Sequence, residues 1–449
     1  MKLNKCFIAV GLMLVYAGSA LGAVSPEEVK KLGTTLTAVG AEKAGNADGS
    51  IPAYTGGLTT PPANFKAGSG IRPDPFANEK PLFSVSAKNM SQYANKLTEG
   101  VKALMKKYPT YRIDVFKTHR TVSMPQYVLD NTLQNATHAH TSNNGLAVKN
   151  AKGGVPFPIP KDGYEAMWNH LLRYSGESTT HKYKNFNIDA SGRSVMSCEA
   201  TLLENYPYYN RKGKSSNFYY MLKNSYTGPA RRSGEIVMVK FPINMAEQTT
   251  SAWQYLPGQR RVKMAPELLF DTPNPATNGT TTYDDNFMFN GSMERYNFKL
   301  IEKREMLIPY NAYKMTYQVK SEDLFHPKHA NPDHVRWELH RVWVVEGTLK
   351  QGQRHIYSKR VYYIDEDSWA ALASDEYDMR GNLYRVQLAS LSQSYDAQAV
   401  LSSPSISYDL IAGSYSYTGF FGDNGYVKYV PNYPDSFWNP EGLAGSGIR

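Results

Sequence analysis

From about residue 181 the chain follows a period of two. In YKMTYQVK, residues 313–320, Tyr313, Met315, Tyr317 and Val319 alternate with Lys314, Thr316, Gln318 and Lys320, as a half-buried antiparallel strand requires. Strand-like runs continue at 334–349, 354–366, 368–377 and 382–391, separated by the turn formers KQGQ, DEDS and DMRGN. The runs at 233–241, 251–257 and 295–310 extend the series upstream. Consecutive strands joined by short turns pair as neighbours. The pattern therefore predicts a mainly β fold with helices (α+β), in which one large curved antiparallel sheet spans residues 181–400.

Ahead of the sheet the period is helical. Ser25, Pro26 and Glu28 begin a short helix that Gly33 stops, and apolar positions from Met90 to Tyr108 recur at helical spacing, with Gly100 a break between two shorter helices. Residues 125–136 and 161–176 predict two more, the second capped by Asp162 with Glu165 three positions on. Between the short first helix and the 90–108 segment the strap 39–58, rich in Gly, Ala, Asn and Asp, follows neither period and reads as turns running over the surface. The layout expected is a strap and helical cover at 24–180, the sheet at 181–400 and an irregular C-terminal wrap at 401–449, together making one domain.

Residues 1–23 change where the chain is expected to work. Lys2 and Lys5 precede an apolar run from Phe7 to Tyr16 and then small residues, the three parts of a secretory leader cleaved after Gly22 or Ala23. Cleavage removes Cys6, leaving Cys198 alone, so the mature core forms no internal disulfide and Cys198 reads as a buried apolar residue. The net charge of +10, less the two leader lysines, stays basic, but Arg231-Arg232 and Arg260-Arg261 are scattered pairs. In an exported protein such charge suits anionic lipid or surface polymer better than nucleic acid.

Local catalytic signatures are missing: the sequence holds no G-x-S-x-G, H-E-x-x-H, phosphate loop or dinucleotide fingerprint. His326, His329, Asp333, His334 and His340 could gather around zinc, but Pro327 and Pro332 mark a turn there, and no metal or cofactor is expected. Asp365, Glu366 and Asp367 fall where a hairpin turns, a place for backbone capping and solvation. Arg341 is different, because it shares a strand face with Val335, Trp337, Leu339, Trp343 and Val345. A guanidinium in that surface needs an anion, from a ligand or from a protein acid, unless a bulge at 340–341 turns it away.

Several blocks carry a resemblance. SAWQYLPGQRRVKMAPE at 251–267 resembles the outer-membrane lipoprotein-sorting proteins, and 282–311, 335–369, 41–57 and 108–121 are similar to the narrower domain of unknown function family 1329. The resemblance covers essentially the whole mature chain. It implies a LolA/LolB-like half-open barrel, closed at its mouth by helices around an apolar hollow for acyl chains, in a periplasmic protein that touches the outer membrane. It also implies a non-enzymatic carrier or adaptor for a lipid-like molecule in lipid or lipoprotein sorting. Partners would be an inner-membrane exporter of the resistance-nodulation-division (RND) superfamily and a second exported protein. The residues expected to line the hollow are Trp253, Tyr255, Tyr313, Met315, Tyr317, Trp337, Leu339, Arg341 and Trp343, with Arg341 meeting a head group. The chain is about twice as long as the small lipoprotein carriers. A polysaccharide-binding or lyase-like protein is the rival reading, since tyrosine-rich concave sheets also stack sugars. An outer-membrane barrel is a third, against which the terminal SGIR stands.

Overall fold

A computed structural model of the protein describes residues 24–212 and 216–446, so the expected leader at 1–23 lies outside the described residues. The strands in chain order are β1 (Phe83–Ser86), β2 (Arg112–Val115), β3 (His140–Ser142), β4 (Ala147–Lys149), β5 (Ser178–Ile188) and β6 (Ser194–Asn205). Next come β7 (Phe218–Gly228), β8 (Ile236–Pro242), β9 (Ser251–Leu256), β10 (Arg261–Met264), β11 (Tyr296–Pro309) and β12 (Arg336–Leu349). The last are β13 (Lys359–Asp365), β14 (Ala371–Tyr377), β15 (Leu383–Ser394), β16 (Ala399–Asp409), β17 (Ser414–Phe420) and β18 (Tyr426–Tyr429). Among the described residues 16 of them make one sheet in the order β1-β2-β12-β13-β14-β15-β16-β17-β5-β6-β7-β8-β9-β10, with β11 also beside β12 and β18 beside β5. Pairing in this sheet is antiparallel except between β2 and β12.

The short turns read from the sequence join β12 through β15 as a meander. Register shifts at Leu300/Glu302, Tyr363/Ile364, Ala389/Leu391, Asn185/Phe186 and Tyr417/Phe420 add a residue to one strand each time, and such bulges bend a sheet. The curved antiparallel sheet expected from the alternation is present. Its main core runs from Val39 in the strap to Phe420 in β17.

Helices α1 (Pro26–Val29), α2 (Glu99–Lys107), α3 (Gln126–His138) and α4 (Gly163–Leu171) precede the long strands, and α5 (Ser321–Leu324) and α6 (Gly442–Ser446) follow later. The α4 cap is Asp162, whose side chain accepts from the Glu165 amide. The break in the 90–108 segment falls at Leu97-Thr98, because the Thr98 hydroxyl caps α2 by accepting from Val101; Gly100 lies inside that helix, and a Cβ on it would stand 2.2 Å from the buried Asp375 carboxylate. No helix among the described residues is long and apolar enough to cross a membrane.

Two expectations are corrected. Residues 313–320 are not a strand: Lys314–Gln318 coil as a π-helical turn after Asn311 takes a positive φ of 51°. Residues 401–449 are not an irregular wrap throughout, since β16, β17 and β18 occupy the middle of the sheet. In SYSYTGF, 414–420, serine and tyrosine alternate, which is itself a strand pattern.

Candidate functional site

The run SGEIVMVKF is apolar at successive positions, and β8 uses both of its faces. Ile236 and Met238 pack on one side with Met221, Tyr255, Trp438 and Leu443, while Val237, Val239 and Phe241 turn to the other side and line a hollow of about 480 Å³. That volume falls within the range of pockets for small molecules. Register carries the apolar wall across the sheet: Leu222, Val239 and Ala252 stand in one row, and Leu202, Asn224 and Val237 in the next.

The opposite wall comes from the connection between β10 and β11. Leu268, Phe270 and Phe287 from this segment face the hollow. It is held in place by local caps and by ion pairs at its base. Asn274 accepts from the Ala276 amide, and Thr282 forms a capping box with Asp285. Asp284 then meets Arg360 at 3.2 Å and His355 at 3.1 Å, and the Tyr357 hydroxyl donates to Asp285 at 3.0 Å. Burial opposes ionisation of Asp284, but Arg360 and His355 outweigh it and hold the carboxyl below its usual range. The fastened base also keeps two non-glycine residues, Phe287 and Met288, at positive φ of 54° and 71°.

The hollow is not apolar all round. Moving along the sheet from β6 to β15 the lining becomes hydroxylic, with Thr418 on β17, Ser405 and Ser407 on β16 and Gln387 on β15. Ser405 and Thr418 share a hydrogen bond of 2.6 Å, and Ser407 donates to Gln387.

None of the nine residues expected at the hollow is among those lining it. Trp253 and Tyr255 lie on the far side of β9, against the segment that carries Trp438. Tyr313 and Tyr317, four positions apart on the π-turn, pack with Tyr395, Leu401 and Phe421 in a separate cluster, and Met315 joins the main core. Trp337 and Leu339 are buried in that core, and Trp343 stacks at 6.1 Å on Trp369. The helical closure of the mouth is corrected too: α2 packs on β14 and β15 and α4 on β11 and β12, and the hollow is covered by the β10–β11 connection.

Arg341 keeps its place on the apolar face of β12, with no register shift at 340–341. Its anion is protein: Nη1 reaches Glu366 at 3.4 Å, and Nε reaches Glu42 at 3.5 Å. The acids of the DEDS turn, expected to be solvated, are instead buried, at 0 %, 2 % and 2 % exposure for Asp365, Glu366 and Asp367. Cations compensate them. Arg120 holds Asp367 at two points, and Lys303 reaches Glu366 at 2.9 Å.

The strap at 39–58 seals this charge cluster. The Ala44 carbonyl accepts from Arg341, the Val39 carbonyl accepts from the Trp369 indole, the Glu42 amide donates to Glu366, and Tyr54 lies 5.3 Å from the Arg120 guanidinium. Its own Ala41 and Ile51 are buried against the molecule. Its glycines let the backbone approach closely: a Cβ on Gly57 would stand 2.2 Å from the Val122 carbonyl oxygen.

Among the described residues, His340, Asp365 and Asp367 form the group whose ligand atoms lie close enough to share a cation, within 4.8 Å of one another; His326, His329, Asp333 and His334 do not join it. All but one of these side chains' oxygens are already committed. Arg120 occupies both oxygens of Asp367, Ser368 and Tyr310 donate to one oxygen of Asp365, and His340 Nε2 meets Glu338 at 3.1 Å. The remaining Asp365 oxygen has no partner, and burial with the neighbouring Asp367 pushes this carboxyl up to about 7. The arrangement suits a proton on Asp365 rather than a metal ion.

A family model described as "Protein of unknown function (DUF1329)" matches residues 84–444. "Uncharacterized protein PA3922" of Pseudomonas aeruginosa is 40% identical over 458 residues, covering 100% of both chains. Among solved structures, a domain described as an outer membrane lipoprotein-sorting protein from Vibrio parahaemolyticus is similar with a TM-score of 0.44 and 14% identity, covering 63% of this chain and 98% of its own. A DUF1329 family protein from Desulfovibrio piger has a TM-score of 0.41 and 13% identity, over 60% and 92%. A LolA superfamily protein from Nitrosomonas europaea has a TM-score of 0.37 and 11% identity, over 62% and 98%.

Proposed function

We propose that this chain, which belongs to the DUF1329 family of proteins of unknown function, binds a lipid-like molecule in the hollow between β5–β9, β15–β17 and the β10–β11 connection. The observation that carries the reading is an open 480 Å³ space with aliphatic and aromatic walls, on the side of β8 opposite to the one that packs against Trp438 and Leu443. Exposing a sixteen-carbon chain to water costs on the order of 12 kcal/mol at about 0.8 kcal/mol per methylene, so a molecule moved between membranes needs such shelter. Binding, not catalysis, fits the lining. Its most acidic corner, Asp284 and Asp285, is locked by Arg360, His355 and Tyr357 and offers no free base.

The expected leader would place this work in the periplasm, with cargo handed on in outer-membrane lipid or lipoprotein sorting. An RND-type exporter and a second exported protein are the partners this reading calls for. The test is mass spectrometry of solvent extracts from the purified full chain, with Val239→Trp as control. A bound lipophile present in wild type and lost from the variant supports the reading. Protein that is empty and takes up no acyl probe ends it.

A further inference from the structure

We infer that the cargo is neutral: an uncharged lipophile carrying hydroxyl or carbonyl groups, not a fatty acid or a phospholipid. The inference rests on the reading that the hollow holds a lipophile, and it narrows what that lipophile is.

Among the described residues that line the hollow there is no lysine or arginine, although the chain as a whole is basic. The charged side chains on the wall are Asp284, Asp285 and Glu294; His181 lines it too, but burial holds its imidazole below the ordinary 6.5, so it carries no charge at pH 7.5. An anionic head group entering this space would give up its water, find no cation and face carboxylates of its own sign. Arg173 touches two lining residues but does not supply the missing charge. Its guanidinium lies 4.9 Å from the centre of the Phe287 ring and donates to the His170 carbonyl at 2.8 Å and the Ser402 hydroxyl at 3.3 Å. Arg341, the cation that the sequence offered for a head group, is spent on Glu366 and Glu42.

The wall does offer hydrogen bonds. Asn224 and Asn290 line the hollow at 7 % and 6 % exposure, and each amide is half satisfied. Asn224 Nδ2 donates to the Tyr183 hydroxyl at 2.8 Å while its Oδ1 has no partner. Asn290 Oδ1 accepts from the Tyr219 hydroxyl at 3.0 Å while its Nδ2 has no partner. Asn224 thus keeps an acceptor suited to a ligand hydroxyl, and Asn290 a donor suited to a ligand hydroxyl or carbonyl. Ser405, Ser407 and Thr418 add hydroxyls on the β16–β17 side, while on the β6–β9 side Leu202, Leu222, Val237, Val239 and Ala252 surround Asn224 with apolar wall. The hollow is therefore two-sided in polarity while carrying no positive charge, and it selects for polarity without charge.

The test uses the delipidated full chain at pH 7.5 and four probes of one chain length: 1-palmitoylglycerol, methyl palmitate, palmitate and palmitoyl-lysophosphatidylglycerol, each titrated by calorimetry. We expect 1-palmitoylglycerol to bind roughly tenfold or more tightly than either anion. Asn224→Leu and Asn290→Leu, each with its melting temperature recorded, should narrow the preference for 1-palmitoylglycerol over methyl palmitate. Palmitate or the lysophospholipid binding as tightly as 1-palmitoylglycerol overturns the inference and leaves the hollow a lipid site. Folded variants that keep the full preference also overturn it. Failure of all four probes to bind overturns the lipid reading itself, and the inference with it.

Discussion

Arg120 and Asp367, 247 positions apart, meet through two parallel hydrogen bonds of 2.8 Å and 2.6 Å with both side chains 2 % exposed. The pair lies under the strap, beside Glu366 and Arg341. Removing one member leaves the other charged and dry. Arg120→Ala should therefore cost about 3–5 kcal/mol in denaturant unfolding, whereas replacing both partners by apolar residues should cost less than the single change.

Gly57 makes a backbone prediction in the strap itself. Its φ is 78°, and any Cβ would collide with the Val122 carbonyl. Gly57→Ala should destabilise by about 2 kcal/mol or more, read as a lowered midpoint in urea. Gly49, with a φ of 74° and open space around it, should lose only the strain of its own conformation when changed to alanine.

The hollow can be filled from within. Val239 faces it from β8 in the row shared with Leu222 and Ala252. Val239→Trp should lower affinity for the proposed lipophile by about tenfold or more while moving stability by no more than about 1–3 kcal/mol, because the larger ring enters existing space. Calorimetric titration and thermal melting on the same sample separate the two effects.

Stability should fall as pH rises from about 6.5 to 8. Burial pushes the carboxyls of Asp375 and Asp365 up to about 7 and that of Glu376 up to about 8, from ordinary values of 3.8, 3.8 and 4.5. In that window the folded chain binds protons that the unfolded chain has lost, so stability declines with pH. His170, which burial lowers to about 3, acts in the opposite sense, but only below its ordinary 6.5. Melting temperatures should drop across 6.5–8, and Asp375→Asn should flatten the slope.

On the side of the sheet away from the hollow, Trp438 packs with Met238, Tyr255 and Leu443. Trp438→Ala should release the segment after β18, seen as new protease cleavage beyond residue 430, with a loss of up to about 3–5 kcal/mol if the segment unfolds together with the sheet.

How much of this was legible depended on whether one face of an element differed from the other. The strand at 335–349 was readable from its alternation, and so was the need of Arg341 for an anion. The identity of that anion was not, because Glu366 and Glu42 reach it from 25 and 299 positions away in sequence. In 313–320 the alternation misled, since tyrosines at i and i+4 share a face in a helical turn as readily as in a strand. The hollow itself was hidden in SGEIVMVKF. With Ile236 and Met238 as apolar as Val237 and Val239, no period distinguishes the face that packs from the face that stays open. Aromatic residues drew attention to Trp253 and Tyr255, which pack on the far face of β9, whereas the rings that do line the hollow, among them Tyr220, Tyr226, Phe241 and Phe287, lie in stretches that no alternation singled out. The strap escaped for another reason: a covering segment has no period of its own, and its contacts are set by what it covers.

The sheet's seam has a consequence for how the chain can be assembled. β17, at 414–420, pairs with β5, at 178–188, and β18 continues that pairing down to Thr179. Until these last strands arrive, β5 and β16 are two bare edges in the middle of the structure, each a template for a neighbouring molecule. Chains interrupted before residue 414 should therefore clump instead of persisting as shortened monomers, and during synthesis the molecule depends on whatever keeps those edges apart until its final strands arrive.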